Sequence, residues 1–273
     1  YDYHLYDLGG VRGLKFSTSN TLNPTSPTTL TVGLSVTDAA NIKRTNLFEK
    51  GLTSVVSFGL TDRRLPGGSM TIDFSPAGIS DWSFTRLTVE DAIEKKIRLF
   101  GVRDRSFLGW IWSDSKGVPV QERFTVEGAG SAAMLQKGYL RDVSSFYGDY
   151  DLRNQYHMSG DANLRAFGNQ NFVGVEEVFS NSFEAFMHKR FGPISLELAA
   201  FVDSGILSGS KFESNDRLFD NASLLDYGLG LRLSTSIFGQ PLYMRVDKPI
   251  DATIDGNSIA NMNEWVFSFQ KSM

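Results

Sequence analysis

The chain has 273 residues, a formal net charge of −4 at pH 7, 26 glycines, 21 phenylalanines and no cysteine. Without cysteine, a disulfide framework, thiol catalysis and a thiolate metal site are excluded, and the scattered basic residues of a net-acidic chain give no reason to expect a nucleic-acid partner. No run of about 18 apolar residues occurs, which excludes a transmembrane helix but not membrane-spanning strands, in which only every second residue faces lipid.

Apolar and polar residues alternate along most of the chain, which is typical of strands with one apolar face. Weaker alternation predicts four further strands, and the total is about twelve. The stretch 87–96, LTVEDAIEKK, also fits a short helix with a Thr88/Asp91 capping pattern. In chain order the predicted strands are 11–20, 28–38, 51–61, 69–75, 82–91, 95–103, 106–115, 176–188, 194–203, 227–237, 242–248 and a last one around Trp265, Phe267 and Phe269.

The lengths of the connections indicate where these strands sit. Counted from the C-terminus, short links alternate with long ones, as they do in outer-membrane barrels, and the runs are long enough to cross a bilayer as tilted strands. The interval 39–49 is long where this alternation requires a short turn. The predicted short links are 76–80, 103–105, 190–193 and 238–241, and the predicted long ones are 116–175, 207–223 and 250–261.

The sequence therefore predicts an all-β fold, a transmembrane antiparallel β-barrel of about twelve strands that forms a single domain over 1–273. The expected location is the bacterial outer membrane, with the lipid bilayer and lipopolysaccharide as surroundings. A soluble β-sandwich or a lipocalin-like binder shows the same alternation and stays open as an alternative. The chain begins at Tyr1 rather than Met, as expected of a mature chain or a fragment.

Four pieces of sequence from residue 118 onward resemble the barrels of outer-membrane assembly factors and two-partner-secretion translocators, the BamA-like or surface-antigen superfamily. The first three resemble the family's approach to its longest external loop, the tip motif of that loop, and a Phe-x-Asp-x-Gly strand. The fourth resembles a glycine-rich strand with the tight turn and strand that follow. In order, they are VPVQERF (118–124), NLRAF (163–167), AFVDSG (200–205) and YGLGLRLSTSIFGQPLYMRVDKPI (227–250).

The resemblance implies that the loop 116–175 folds back and plugs the lumen. It implies that Arg165 pairs with Asp203, with Phe167 packed beside it, and Ala166 stands where the family motif has glycine. The alternation of residues in the strand 194–203 supports this pairing in one respect. It places Asp203 on the same face as Glu197, and that is the face assigned to the lumen. Glu184 and Glu197 are rival partners for Arg165. The candidate site thus comprises Leu164, Arg165, Phe167, Asp203, Gly205, the rivals Glu184 and Glu197, and the loop-entrance residues Glu122, Arg123 and Phe124.

The function implied by the resemblance is movement or insertion of polypeptide across or into the outer membrane, without enzymatic chemistry and without a cofactor. A polypeptide substrate and a periplasmic or fused soluble domain are the expected partners. The split of the long loop is more similar to that in barrels fused to peptidase- or patatin-like domains, and the barrel end of such a protein is an alternative identity that the resemblance implies. His4, His157 and His188 lie far apart in sequence and show no metal-binding spacing, so no metal site is expected. A passive pore, a membrane anchor for a soluble domain and a hydrolytic outer-membrane enzyme are the alternatives.

Overall fold

The computed structural model describes residues 2–8, 11–22, 28–40, 49–62, 68–126, 161–167, 174–210, 219–237, 240–260, 262 and 265–271. Strands dominate this part of the chain, and two short 3₁₀ turns, Val120–Glu122 and Arg165–Phe167, accompany them. The strands are β1 (Asp2–Leu8), β2 (Val11–Thr21), β3 (Thr28–Asp38), β4 (Leu52–Asp62), β5 (Gly68–Ser75), β6 (Phe84–Ile97), β7 (Phe100–Ser113), β8 (Glu177–Phe191), β9 (Ile194–Ser210), β10 (Phe219–Ile237), β11 (Gln240–Ile254), β12 (Asn257–Ser258) and β13 (Val266–Lys271).

All these strands belong to one sheet, in which each strand pairs antiparallel with its neighbour in sequence from β1 to β12. β12 has only two residues, and β13 pairs with β11, so twelve strands form the body of the sheet. The predicted all-β, antiparallel, roughly twelve-stranded fold is confirmed at this level. Within the described residues β1 and β13 form no ladder with each other, and no helix is long and apolar enough to span a membrane.

The strand prediction contains two errors that offset each other, so the predicted number of strands stays at about twelve. The strand β1 was not predicted, whereas the three strands predicted at 82–91, 95–103 and 106–115 are the two long strands β6 and β7. The helix considered for 87–96 is wrong, because those residues pair with β5 and β7. The segment 103–105, predicted as a turn, lies inside β7, where Arg103 and Arg105 face the interior and pair with acidic side chains.

The merger of these strands changes which connections share an end of the sheet. The real turn between β6 and β7 is at 98–99, so 39–51 and 76–83 both lie at the end that carries the long connection 114–176. The prediction that 76–80 is on the short-turn side is wrong, and 39–49 no longer breaks the alternation. The long link predicted at 250–261 is also wrong in extent, because β11 continues to Ile254. At the opposite end the turns 98–99 and 192–193 have two residues each.

The outer face of the sheet is apolar and open to the surroundings. Along most strands whose burial is described, large hydrophobic side chains with high exposure dominate one parity, including Phe58 at 50%, Leu198 at 50% and Ile206 at 58%. Asp104 of β7, which accepts a hydrogen bond from Asn181 of β8, is a polar exception on this face. The alternate residues of the same strands face inward and are mostly buried, as the burial pattern of β8 shows. This distribution is the reverse of that in a soluble sheet, whose polar face meets water.

The inner face encloses the ends of the long connection between β7 and β8. Buried side chains from β4, β6, β7, β8, β9 and β10 form one apolar cluster with residues of 118–126 and 161–167. On one side the Gln121 side chain accepts a hydrogen bond from the backbone N–H of Glu49 (3.0 Å), and on the other Ala166 N–H donates to Asp226 on β10 (3.3 Å). The sheet therefore curves around these segments, and the core lies inside it.

Candidate functional site

The two ends of the long connection are fastened to each other inside the sheet. Phe124 and Val175 form a two-way backbone bridge, with both N···O distances at 2.9 Å. Leu164 N–H donates to the carbonyl of Val126 (3.1 Å), and the Asp161 carboxylate accepts from the backbone N–H of Thr125 (2.9 Å). We call the segments 118–126, 161–167 and 174–176 the neck. Residues 127–160 and 168–173, which complete the predicted loop, lie outside the described residues.

The loop-entrance residues predicted from the sequence all belong to the neck. Arg123 folds back on its own segment, and its Nε and Nη2 donate to the carbonyl of Val118 (3.0 and 2.8 Å). Phe124 is fully buried and packs edge-on against Phe107 of β7, with 5.7 Å between ring centroids. Gly109 makes room for it, because a Cβ at that position would lie 2.6 Å from the Phe124 ring.

Glu122 occupies a different environment beside β5 and β6. Its backbone carbonyl accepts from Arg86 Nη1 (3.1 Å), and its carboxylate lies 3.8 Å from the same atom. Burial raises the pKa of the Glu122 carboxyl to about 7, against the opposing charge of Arg86. The carboxyl is therefore close to half-ionised at neutral pH.

The segment 163–167 forms the innermost part of the neck. Asn163 adopts a left-handed backbone conformation (φ 55°), which asparagine tolerates better than most residues, and the 3₁₀ turn Arg165–Phe167 follows. Leu164, Ala166 and Phe167 are buried in the apolar cluster. Leu164 packs onto the backbone of β9 at Gly205, one of the predicted site residues.

Arg165 is the centre of the site, and only 2% of it is exposed. Its Nη2 donates to Glu184 (2.6 Å) and to the Ser182 hydroxyl (2.9 Å), both on β8. Its Nε lies 3.2 Å from the Asp203 carboxylate on β9, and the guanidinium carbon is 3.9 Å from the centroid of the Phe201 ring. The structure thus brings Arg165 together with Asp203 and with Glu184, its predicted partner and a rival.

Two further acidic residues near Arg165 were not singled out from the sequence. Asp247 on β11 lies 3.8 Å from Arg165 Nε, and Asp226 on β10 accepts from Ala166 N–H. Four adjacent strands, β8 to β11, therefore each supply one acid around the tip of the neck. Asp226 stands directly opposite Asp203 in the strand register, and both are fully buried. A like-charged pair in such a position is destabilising unless a cation stands beside it.

A second layer of charge lies on the short-turn side of Arg165. Glu184 also accepts from Arg232 and from Arg245 (2.6 Å), and the latter arginine contacts Asp247. Glu197, the other predicted rival, does not contact Arg165 among the described ion pairs; it binds Arg103 and lies 3.4 Å from Arg232. We call Arg103, Arg232, Arg245, Glu184 and Glu197 the charged layer. It links strands β7 to β11 across the interior.

These contacts make Arg165 a clamp rather than a reactive group. Burial disfavours its charge, yet the surrounding carboxylates, Asp203 foremost, raise the pKa of Arg165 above its ordinary value. Its planar guanidinium reaches several oxygens at once, which suits a residue that holds a loop against strands. In the described part of the chain no group of three or more His, Asp and Glu side chains is arranged to hold a metal ion.

No protein-family model matches the chain, and a search of curated proteins finds no match either. The resemblance to surface-antigen barrels stays an expectation that rests on the four sequence pieces. The sequence did contain a signal for the two acidic residues that were not singled out. Asp226 and Asp247 each alternate with an outward-facing neighbour, Tyr227 and Val246, and therefore belong to the inner face. Their convergence on one arginine depends on strand register, which a single sequence does not give.

Proposed function

We propose that this chain is an outer-membrane β-barrel of the protein assembly and translocation type, whose lumen is plugged by the neck of its own long connection. It moves or inserts polypeptide across or into the membrane, without enzymatic chemistry. The observation that carries the membrane part of the proposal is the exposed apolar outer face. Large hydrophobic side chains on β2 to β11 are open to the surroundings on that face.

An exposed apolar face of this extent has to be covered by lipid or by another protein. Contiguous exposed apolar patches of more than a few hundred Å² mark a membrane or a protein interface. Here the apolar parity continues from strand to strand around a curved sheet, and the polar parity points inward, which is the arrangement of outer-membrane barrels. Lipid chains cover a face of this kind on all sides, whereas one protein partner covers a single patch. The longest connections lie at one end of the sheet, and the two-residue turns 98–99 and 192–193 lie at the other, which favours the same assignment.

Plugging is supported by the interior contacts. The apolar cluster lies in the part of the interior near the long connections, and the charged layer lies nearer the short turns, on the inner face of β7 to β11. Arg165 joins the two, since it belongs to the neck and binds Glu184 of the charged layer. A filled interior argues against a wide passive pore. The proposed path for polypeptide is the lumen together with a seam between the terminal strands β1 and β13, which are short, with 7 and 6 residues.

Ion conductance in a planar bilayer tests the plug. The expected wild-type conductance is small and noisy, and it should rise to a similar extent in Arg165→Ala and in Asp203→Ala. The matched control is Arg190→Ala, which removes an exposed arginine at the short-turn end of β8. A large steady conductance that neither mutation changes would mean a passive pore. A chain that stays soluble without detergent and never inserts would overturn the membrane assignment.

The polypeptide part of the proposal needs its own readout. In the Arg165→Ala channel, an unfolded polypeptide added on one side should block the current transiently, because a polypeptide that enters the lumen displaces ions. Blockade in the control variant Arg190→Ala should be rarer, since its plug is intact. If both variants insert and neither is blocked, the result supports the second candidate function, a membrane anchor for a soluble domain. The filled interior favours that candidate over a passive pore.

A further inference from the structure

Two neighbouring hairpins at the short-turn end share an unusual surface. The β6–β7 hairpin turns at Arg98–Leu99, and the β8–β9 hairpin turns at Gly192–Pro193. They are fastened to each other, because β7 pairs with β8 and His188 N–H donates to the carbonyl of Leu99 (2.8 Å). The two tips therefore form one continuous edge of the sheet.

This edge carries some of the most exposed apolar side chains of the described chain. Ile97 is 76% exposed, Phe100 61% and Phe191 52%. Ile97 stands opposite Phe100, which stands opposite Met187, so all three strands present these residues on the apolar outer face. The edge is thus the margin of the face that the proposed function assigns to lipid.

Five basic residues and one acidic residue, Glu94, lie at the same edge. We call the five basic residues the basic rim; they are all exposed, and they are Lys95, Lys96, Arg98, Lys189 and Arg190. Glu94 is engaged by Lys96 (2.6 Å) and by Arg103. The opposite end has no such excess among its described residues, where the exposed charges are Asp38, Asp81, Asp114 and Asp255 against Arg12, Lys50 and Lys116.

We propose that the basic rim binds the headgroups of anionic phospholipids in the leaflet at the short-turn end. This inference rests on the proposed membrane location and names the lipid that this margin selects. Lys95 and Lys189 belong to the outer-face parity, since they pair across the sheet with Val102 and Leu196. Their alkyl stems can lie along apolar wall while the ammonium groups reach the headgroup phosphates.

The backbone at Arg98 gives a second reason. Arg98 has φ 56°, in the left-handed region that glycine or asparagine enters at lower cost. A two-residue turn that needs this conformation favours glycine, as at Gly192 in the adjacent hairpin (φ 58°). The guanidinium at position 98 is thus present despite a local backbone cost, and binding of a phosphate by that guanidinium would offset the cost.

Lipid fits this edge better than an acidic protein does. The charges do not surround a pocket; they follow the rim of an apolar wall, with aromatic and aliphatic side chains between them. Lys189 Nζ lies 5.1 Å from the centroid of the Phe191 ring, so cation and apolar surface alternate within one side-chain length. Each basic residue near an anionic membrane surface adds roughly 1 kcal/mol of attraction, about a fivefold change in affinity.

The test compares lipids that stay bound to the full chain. The protein is reconstituted in vesicles of equal parts phosphatidylglycerol and phosphatidylcholine, extracted gently, and analysed by native mass spectrometry. Wild-type protein should retain phosphatidylglycerol over phosphatidylcholine by about fivefold or more, and the preference should fall with added salt. Lys95→Gln/Arg98→Gln/Lys189→Gln should bring the ratio close to one.

Two controls keep the outcome decisive. Arg12→Gln/Lys50→Gln/Lys116→Gln removes the same charge at the opposite end and should keep the wild-type ratio, as should the charge-preserving Lys95→Arg/Lys189→Arg. Equal retention of both lipids by the inserted wild type, or an equal loss in the opposite-end variant, overturns this inference and leaves the proposed function standing. A chain that inserts into no vesicle overturns both.

Discussion

Leu164 of the neck packs against the backbone of Gly205 on β9, and a Cβ added at position 205 would lie 2.7 Å from Leu164 Cδ1. This separation is shorter than any ordinary contact between carbon atoms, so the absence of a side chain at 205 lets the neck reach the strand. The same β9 residue stands two positions after Asp203, which contacts Arg165. One short stretch of β9 therefore both seats the neck and pairs with its arginine.

Gly205→Val should lift the neck off β9. Overpacking of a filled interior costs about 1–3 kcal/mol, and here the cost falls on Leu164, which is fully buried. We expect a lower free energy of unfolding and faster hydrogen exchange in 161–167. The matched control is Gly59→Val on the inner face of β4, where an added Cβ meets nothing closer than 3.5 Å. Equal effects of the two substitutions would mean that Gly205 has no special role at the neck.

Arg165→Lys should resemble Arg165→Ala rather than the wild type. A single ammonium cannot donate to Ser182 and Glu184 while it also faces Asp203, as the planar guanidinium does. Arg165→Ala removes one partner of a buried ion pair, which costs about 3–5 kcal/mol because the remaining carboxylates lose their counter-charge. Arg165→Lys keeps the charge but should cost a similar amount, because its ammonium does not reproduce the contacts of the guanidinium. The measurement is the free energy of unfolding in urea together with the bilayer conductance.

A second substitution separates charge from shape at this position. In Arg165→Ala, the further change Asp203→Asn should recover part of the lost stability, since it removes a buried carboxylate that no longer has a cation beside it. The exposed Arg190→Lys serves as the control and should leave stability within about 0.5 kcal/mol. A wild-type value for Arg165→Lys would show that charge alone holds the neck.

The sequence predicted the parity of the strands better than their boundaries. Period-two alternation places Phe179, Phe183 and Met187 on one face of β8 and Ser182 and Glu184 on the other, as the structure has them. The assignment of residues to the two faces is correct even where strand boundaries are wrong, because burial of one face is encoded in every second residue. The assignment of Asp203 to the inner face follows from the same alternation.

The prediction failed where charged residues sit in the middle of strands. Three consecutive charges at 103–105 indicate a turn in most proteins, yet here Arg103 binds Glu197 and Arg105 binds Glu90 (2.7 Å) on the inner face. Asp104 points to the other face, where it accepts from the Asn181 amide (2.9 Å). Cross-strand partners far away in sequence make such a strand stable, and a local pattern does not contain them.

Asp226 illustrates why the site was only half predicted. It lies one residue before the predicted start of the strand 227–237, although β10 begins at Phe219. Strand ends are the least reliable part of a prediction from alternation, and its pairing with Asp203 depends on the β9–β10 register. Arg165 and Asp203 were accessible because motif resemblance pointed to them. The fourth resembling piece, 227–250, begins one residue after Asp226, and although it contains Asp247 it assigns no role to that residue.

The four tryptophans offer a direct test of the lipid-facing assignment. Trp112 and Trp265 are 52% and 54% exposed on the outer face, whereas Trp82 is 4% exposed in the interior. In single-tryptophan variants reconstituted with brominated lipid, we expect strong fluorescence quenching of the chain that keeps Trp112 or Trp265. The chain that keeps Trp82 should be quenched weakly and serves as the internal control. Equal, weak quenching of all three would place the outer face away from lipid.

Glu122 should make the neck sensitive to pH. Its folded-state pKa is raised to about 7 by burial, whereas an unfolded glutamate ionises near 4.3. The neutral form is therefore favoured in the folded state, so the stability associated with this group is fully present below about pH 4 and is lost as pH rises through about 7. Above that pH an ionised carboxylate lies among buried groups, with Arg86 3.8 Å away.

Hydrogen exchange of residues 118–126, measured from pH 5 to pH 9 and corrected for the intrinsic rate, should show opening that increases as the pH rises from 5 to about 7 and changes little above that. Glu122→Gln keeps the shape of the side chain and removes its ionisation, so the corrected opening free energy should become flat across this range. Glu177→Gln, at the start of β8, is the matched control and should retain the wild-type pH dependence. A pH dependence that persists in Glu122→Gln would assign the effect to another group of the interior and remove Glu122 from the account of the neck.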